Sequence, residues 1–570
     1  MSTALAAVAV AVLGCVASSP RSAPATGPIG LEDVTARSGV RFERVSDLRR
    51  GRMVATMGGG VAMGDVDADG FLDLFFAGTV RDGRKPEAGP CGVLYRNRGD
   101  GTFEDATLRS GLHACGWSMG ASFVDVDSSG FLDLVVTGLG RTTLWKNDGR
   151  GAFREVSAAR GLVAPLFGVG LAAGDVDGDG RVDLYVVDYL DTSYEKEVAF
   201  GAFQVRLPEH YEGQDALLFV QGKDGRFVER AAAAGVTNRG GKGLGAVLFD
   251  YDGDGRSDLY VVNDRAPNVL HRGRGDGTFE DVTLEAGAGA RDQKIPRAGM
   301  GLAVGDVDGD GRPEVLVTNF AGEPVTLYRN VEGALFDDAT DASGLGPPTL
   351  PYVQWGTDFA DLDDDGWPDV VIASGHLVPK ALLMLGSLRK GGLGSYGLGD
   401  RTYRQPPLVL RNLGEGRFRD VTATSGDLAA LRLPARGLAV GDLDGDGRLD
   451  VVLSPISGAV RVLRNSTRER RHALEILPVA GADRKTVLGT KVVVACGGQK
   501  QTREFLVRPS YASGAWTPLH FGLGPHESAE RVDVIPPGET APRFAFENVA
   551  ADRLYTLTNG VLAPRRDFRR

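Results

Sequence analysis

The stretch GDVDGDGRVDLYVV, Gly174–Val187, places carboxylates at the first, third, fifth and ninth positions of a pattern that opens at Asp175, with glycine at the sixth. Side chains of that type at that spacing fold into an oxygen cage for a hard cation. Calcium takes six to eight such oxygens in flexible geometry, whereas magnesium holds on to its water. Without a cation the same carboxylates repel one another. The pattern is written seven times. Asp65, Asp67, Asp69 and Asp73 form the first copy, and Asp125, Asp127, Ser129 and Asp133 the second. Asp175, Asp177, Asp179 and Asp183 form the third, and Asp250, Asp252, Asp254 and Asp258 the fourth. Asp306, Asp308, Asp310 and Glu314 make the fifth, Asp361, Asp363, Asp365 and Asp369 the sixth, and Asp442, Asp444, Asp446 and Asp450 the seventh. Aspartate and glycine favour turns for other reasons, but turn preference does not repeat a nine-residue spacing seven times. The expected cofactor is Ca²⁺, up to seven ions, with the second loop weaker or completed by water because Ser129 stands where the others have Asp.

The residue types around each loop specify what holds it. Position twelve is Phe76, Val136, Val186, Val261, Val317, Ile372 or Leu453, inside a β-branched run, so these are not helix-flanked EF-hands, which need a Glu there. A glycine-containing strand enters most loops, and runs such as DLFFAG and DLYVVN leave them. A third short strand follows: LYRN, LWKN, LFVQ, VLHR, LYRN, VLRN and VLRN. A fourth, of the type FEDVT, appears six times within the array. Its seventh member stands at the other end, as LEDVT, Leu31–Thr35. Seven units of four strands with one strand displaced to the N-terminus predict an all-β, seven-bladed β-propeller over 29–465. In that fold Leu31–Thr35 completes the last blade beside Val462–Asn465. An open stack would leave that strand as an exposed edge.

Composition bounds the rest. Apolar residues are 42% of the 570, and Gly, at 81, supplies many tight turns. The formal charge of −11, with no long Lys/Arg block, excludes a nucleic-acid surface. Seven divalent ions would lift that charge slightly above zero, so the acidity belongs to the loops. Residues 1–14 are expected to be an export signal, because the apolar run Ala4–Cys15 is too short for a membrane helix. It ends in Val12-Leu13-Gly14-Cys15, which resembles a bacterial lipobox with Cys15 as the lipid site. No Lys or Arg precedes the run, and an ordinary cleaved signal stays open. Residues 15–28 then form a tether. No later run is long and apolar enough to cross a membrane. The protein is expected to be exported, on the bacterial outer membrane or cell surface as a lipoprotein, otherwise periplasmic or secreted.

Residues 466–560 alternate or carry β-branched runs with almost no helical period, predicting a small β-sandwich packed on the propeller. Within it Trp516 and His520 are expected to be core and turn elements without chemistry, and Cys496 a buried thiol. Residues 561–570, with Arg565, Arg566, Arg569 and Arg570, are expected to be a solvated basic tail. Cys91 and Cys115 fall on connections of the same face, opposite the acidic loops, where an exported protein can form a disulfide; their pairing stays open from sequence.

These units resemble FG-GAP/VCBS repeats, as in integrin α-chain propellers and the cartilage acidic protein-like family. GTKVVVACGGQKQTREFLVRPSYASGAWTPLHFGLG, Gly489–Gly524, resembles the ASPIC/UnbV domain that follows such repeats. GHLVP and TYRQPPLVLRN match that family's sixth blade. Val534-Ile535-Pro536-Pro537-Gly538 departs from its usual Trp-Pro-Ser-Gly, and the insertion in the third blade lacks cysteines common there.

Long connections, Tyr189–Ala216 and Gly375–Pro407, lie on the face opposite the loops, where a rigid ring meets partners. Trp117, His210, Tyr211, Lys242, Arg297, Trp355, His376 and Arg436 fall near that rim or the channel mouth and form the candidate ligand face. The resemblance implies a binding or adhesion scaffold, monomeric, for a protein or glycan ligand, touching membrane only through the N-terminal lipid. The alternative is a propeller enzyme, a lyase or transferase, possible in natural-product biosynthesis, with its site at the channel mouth. The chain offers no nucleophile elbow, phosphate loop or histidine cluster, and no residue is assigned catalysis.

Overall fold

Each acidic loop is a hairpin between a strand of small residues and a strand of β-branched ones. In the first copy Val61–Gly64 pairs with Asp73–Ala77, which pairs with Gly92–Asn97, which pairs with Phe103–Asp105, all antiparallel. The computed structural model describes residues 29–45, 53–78, 92–112, 117–162, 167–192, 208–289, 296–377 and 403–569. The export signal, Cys15, the tether, Cys91, Cys115 and Arg570 lie outside them, as does most of both long connections.

The same four-stranded meander recurs at 118–155, 168–229, 243–281, 302–338 and 354–420. The seventh sheet draws Ala435–Gly441, Asp450–Pro455 and Arg461–Asn465 from the end of the array and Leu31–Asp33 from its beginning. Leu31 pairs with Asn465 and Asp33 with Leu463. The expected strand is shorter than Leu31–Thr35, because Thr35–Ser38 is a helical turn stopped by Gly39 at φ 85°. Val61–Gly64 lies against both Ser118–Val124 and Ala435–Gly441, so the first and last sheets meet and the ring is closed. Second strands such as Asp73–Ala77 and Asp183–Asp188 are buried throughout. Neighbouring sheets cover both their faces, so their sequences read as continuous apolar runs and not as alternation.

The C-terminal region is a sandwich of two four-stranded sheets. One is ordered Leu519–Gly524, His472–Pro478, Arg553–Thr558, Val561–Asp567, and the other Gln499–Glu504, Lys491–Cys496, Ser528–Ile535, Phe544–Ala550. The expected basic tail is therefore corrected. Val561–Asp567 is a strand paired along Arg553–Thr558. Cys496 is buried, as expected.

Between the two sheets the chain leaves the sandwich as a hairpin, Arg508–Ser510 and Ser513–Trp516, that enters the ring. Its second strand runs parallel to Val61–Gly64, with Ala62 opposite Gly514 and Gly64 opposite Trp516, so the first sheet gains two inner strands. The tip is Tyr511-Ala512, and Ala512 adopts φ 52°. Close approach explains the glycines of the entering strands. A Cβ on Gly60 would lie 2.0 Å from the Ala512 carbonyl oxygen. The largest apolar cluster runs from the first three sheets into the sandwich through Phe505, Val507 and Trp516.

Candidate functional site

The seven loops share one backbone geometry. The first Asp turns both oxygens onto the loop's own N–H groups. Asp65 accepts from Asp69 at 3.0 Å and Gly70 at 2.8 Å, and Asp125 from Ser129 and Gly130, each at 2.8 Å. The sixth-place glycine must take positive φ for this, from 82° at Gly447 to 97° at Gly70.

The ninth-place acid does something the spacing alone does not reveal. Asp73 accepts the N–H of Val66 at 2.9 Å and of Asn97 at 2.8 Å, tying the loop to the end of the third strand. Asp183, Asp258, Glu314, Asp369 and Asp450 make the same pair of bonds. All are at most 2% exposed. A carboxylate has lone pairs enough to staple strands and still face an ion. Burial holds the carboxyls of Asp73, Asp258, Glu314, Asp369 and Asp450 well above the usual range, and those of Asp133 and Asp183 at about 7.

The remaining carboxylates complete the cages. Oxygens of Asp65, Asp67 and Asp73 converge within 4.8 Å, as do those of Asp175, Asp177 and Asp183 and those of Asp250, Asp252 and Asp254. Asp306, Asp308 and Glu314 converge likewise, and so do Asp361, Asp363 and Asp365. Oδ1 of Asp67, of Asp177 and of Asp363 is buried with no hydrogen-bond partner. An all-oxygen donor set with unpartnered anionic oxygens fits a hard divalent cation and fits poorly with nothing. These groups could hold a metal ion.

The sandwich covers this face of the ring and brings cations to it. Arg565 pairs with Asp65 at 3.0 Å, Lys491 with Asp250 at 2.7 Å and Arg566 with Asp442 at 3.5 Å. Two of the arginines expected to be solvated thus bind first-place aspartates, and Arg569 stacks its guanidinium over Phe71. His520 is no mere core residue. Its Nε2 lies 2.9 Å from Asp364 and its Nδ1 3.7 Å from Glu475. Burial opposes its charge, but the hydrogen bond to Asp364 and the nearby Glu475 carboxylate outweigh that and hold the imidazolium up to about 10. These cations were missed because each sits more than 120 residues from the loop residue it meets. For Arg565 and Arg566 the signal was the density of basic residues in the last strand.

The opposite face separates the eight candidate ligand residues. Trp355 and Arg436 are buried, with the Arg436 guanidinium 3.9 Å over the indole ring. Arg436 donates to the carbonyls of Thr56, Gly375 and His376 at 3.3, 3.0 and 3.2 Å. Trp355 donates to Gly375 O at 2.8 Å and meets Tyr511 edge-on at 4.7 Å. The pair therefore grips the hairpin tip and is not surface. Tyr211 is buried in the same apolar cluster, with Trp117 packed against it. His376 is buried, edge-on to Phe320 at 5.7 Å. Lys242 and Arg297 stay half-buried, Lys242 donating to Pro208 O at 2.8 Å and Arg297 lying 3.8 Å from Asp338. His210 ends the turn Pro208–His210. The missed element is the hairpin: Tyr511 and Ala512 fill the channel that these residues were expected to border.

Sheets of four strands closed into a ring, with acidic hairpin loops on one face and a β-sandwich over them, define a β-propeller with acidic loops. The FG-GAP-like repeat matches residues 65–136, 125–186, 250–317, 306–372 and 399–453, and the ASPIC and UnbV domain matches 481–563. The chain belongs to the family of FG-GAP repeat proteins that carry a C-terminal ASPIC and UnbV domain. Among its relatives, cartilage acidic protein 1 of Xenopus tropicalis is 26% identical over 304 residues, covering 51% of this chain and 41% of that one. The protein of the same name from Homo sapiens is 26% identical over 351 residues, covering 59% and 46%. The chain thus spans under half the length of these relatives. An Agrocybe aegerita lectin recognising non-reducing terminal N-acetylglucosamine superposes with a TM-score of 0.35 at 18% identity, over 64% of this chain and 80% of that one, too loosely to argue from. Among the described residues no helix is long and apolar enough to cross a membrane.

Proposed function

We propose that this protein is an exported, calcium-stiffened scaffold that binds a protein or glycan partner through the face opposite its acidic loops. The observation that carries the metal is the set of buried, unpartnered oxygens on Asp67, Asp177 and Asp363, each inside a cage of converging carboxylates. Calcium suits them by charge and by tolerance of irregular oxygen sets. The choice of face is supported by the sandwich, which covers the loop side and leaves the rim with the long connections for a partner. Filling of the channel by Tyr511 and Ala512 favours a rim surface around Lys242 and Arg297 over a site down the axis. The names of the relatives fit an extracellular setting. The apolar run before Cys15 fits export, with Cys15 as lipid site.

Extracellular calcium modules bind at about 10⁻⁴–10⁻³ M. At a free concentration about ten times Kd each site adds roughly 1.4 kcal/mol to folding stability. Thermal melting of the full chain after exhaustive chelation, then with Ca²⁺ or Mg²⁺ restored, tests the reading. Melting temperature is expected to fall on chelation and to recover with Ca²⁺ far more than with Mg²⁺. An unchanged melting curve in excess chelator overturns the calcium scaffold.

A further inference from the structure

The second acidic loop differs from the others in two ways that answer each other. Ser129 removes its fifth-place carboxylate, and Lys146 reaches its centre from the third strand of the same sheet. The Lys146 ammonium lies 2.7 Å from Asp127 Oδ1, 3.0 and 3.1 Å from the two oxygens of Asp133, and 3.4 Å from Ser129 Oγ. It therefore touches places three, five and nine at once, which is where an ion would bind.

Other sheets hold cations near their loops, and the contrast is instructive. The residue before the terminal Asn, Gln or Gly of the third strand is Arg96, Val220, Arg272, Arg329, Arg411 or Arg464 in the remaining six. Arg411 bridges Asp363 and Asp365 at 2.7 Å, Arg464 lies 2.6 Å from Asp444 and Arg329 3.4 Å from Asp308. These forks clasp places three and five and stop there. Among the described residues, Asp133 is the one ninth-place carboxylate within ion-pair distance of a cation. An ammonium is a compact point charge with three donors at its end, so it can enter a cage sized for one ion, whereas a planar guanidinium cannot.

We propose that the second loop takes no metal and that Lys146 is its resident cation, so the chain holds at most six calcium ions. This rests on the calcium reading of the other loops. The loop keeps its shape when calcium is withdrawn, which makes blade two the calcium-independent member of the ring.

The test counts calcium per chain by atomic emission after equilibrium dialysis, on the full protein and on the double variant Lys146→Val, Ser129→Asp. This variant restores the fifth-place carboxylate and installs the residue that blade three carries at Val220. The parent is expected to bind no more than six ions and the double variant one more than the parent. A parent count of seven overturns the proposal with no variant required. Equal counts for parent and a variant with parent-like circular dichroism overturn it too. Absence of calcium from both chains defeats the scaffold reading together with this one, an outcome distinct from the other two.

Discussion

His271 shows how a single side chain carries a consequence that the repeat pattern hides. It stands in the third strand of blade four, where its counterparts are Tyr95, Trp145 and Phe219, and neither ring nitrogen has a hydrogen-bond partner. Burial disfavours its charged form and lowers its pKa below the ordinary 6.5. The folded chain thus refuses a proton that the unfolded chain accepts. The stabilising contribution is present above about pH 6.5 and is lost as pH falls below it. Replacing His271 with Leu is expected to flatten the fall in melting temperature between about pH 7.5 and 5, and an unchanged slope counts against the burial argument. Among residues, the carboxylates of the acidic loops were legible as clusters because a nine-place spacing repeated seven times speaks for itself. Arg565, Lys491 and His520 were not, because an ion pair between distant segments leaves no local pattern. Lys146 was legible only in retrospect, by aligning LWKN with LYRN beside the loss of an Asp.

Strands were easier to read than the contacts between them. The four strand types appear close to where alternation and β-branched runs placed them, and the displaced strand Leu31–Asp33 pairs with Arg461–Asn465 as ring closure requires. Deleting Ile29–Ser38 removes no loop carboxylate, yet it exposes Arg461–Asn465 as a bare edge. That variant is expected to melt earlier and to aggregate in gel filtration, whereas deletion of Ala17–Thr26 does neither. Identical behaviour of both deletions overturns the latch. The channel hairpin was not legible. It is short, rich in small residues, and its partner Val61–Gly64 lies about 450 residues earlier, so no periodicity announces it. Its anchor is Tyr511, fully buried between Trp355 and Met57, its hydroxyl accepting the N–H of Gly58 at 3.2 Å and donating to the Met57 sulfur at 3.9 Å. Tyr511→Ala is expected to cost about 3–5 kcal/mol in urea unfolding, the range for emptying a large aromatic site. A loss under about 1 kcal/mol means that the hairpin does not bear on the ring's stability.

At the scale of the molecule, ring and sandwich are one packed body because the hairpin of the second occupies the axis of the first. Gly60 sets the clearance. Any β-carbon there meets the Ala512 carbonyl oxygen at 2.0 Å and Gly120 Cα of the second sheet at 2.8 Å, so Gly60→Val is expected to expel the hairpin and to loosen the join between the first two sheets without unfolding their strands. Small-angle scattering is then expected to give a larger radius of gyration with far-ultraviolet dichroism unchanged. An unaltered radius shows that the sandwich is held by its cations on the acidic loops alone.

The pairing of Leu31 with Asn465 also dictates an order of events in time. A chain made from its N-terminus presents the latch first and its partner last, so residues 31–33 must wait, unpaired, while more than four hundred residues are added. Closing so long a loop is entropically expensive and slow relative to the local hairpins that build each blade. Six blades can form as they appear, but the ring cannot shut until Arg461–Asn465 arrives, and its axis cannot be filled until the sandwich follows. A nascent chain halted before residue 461 is therefore an open crescent with one bare edge at each end.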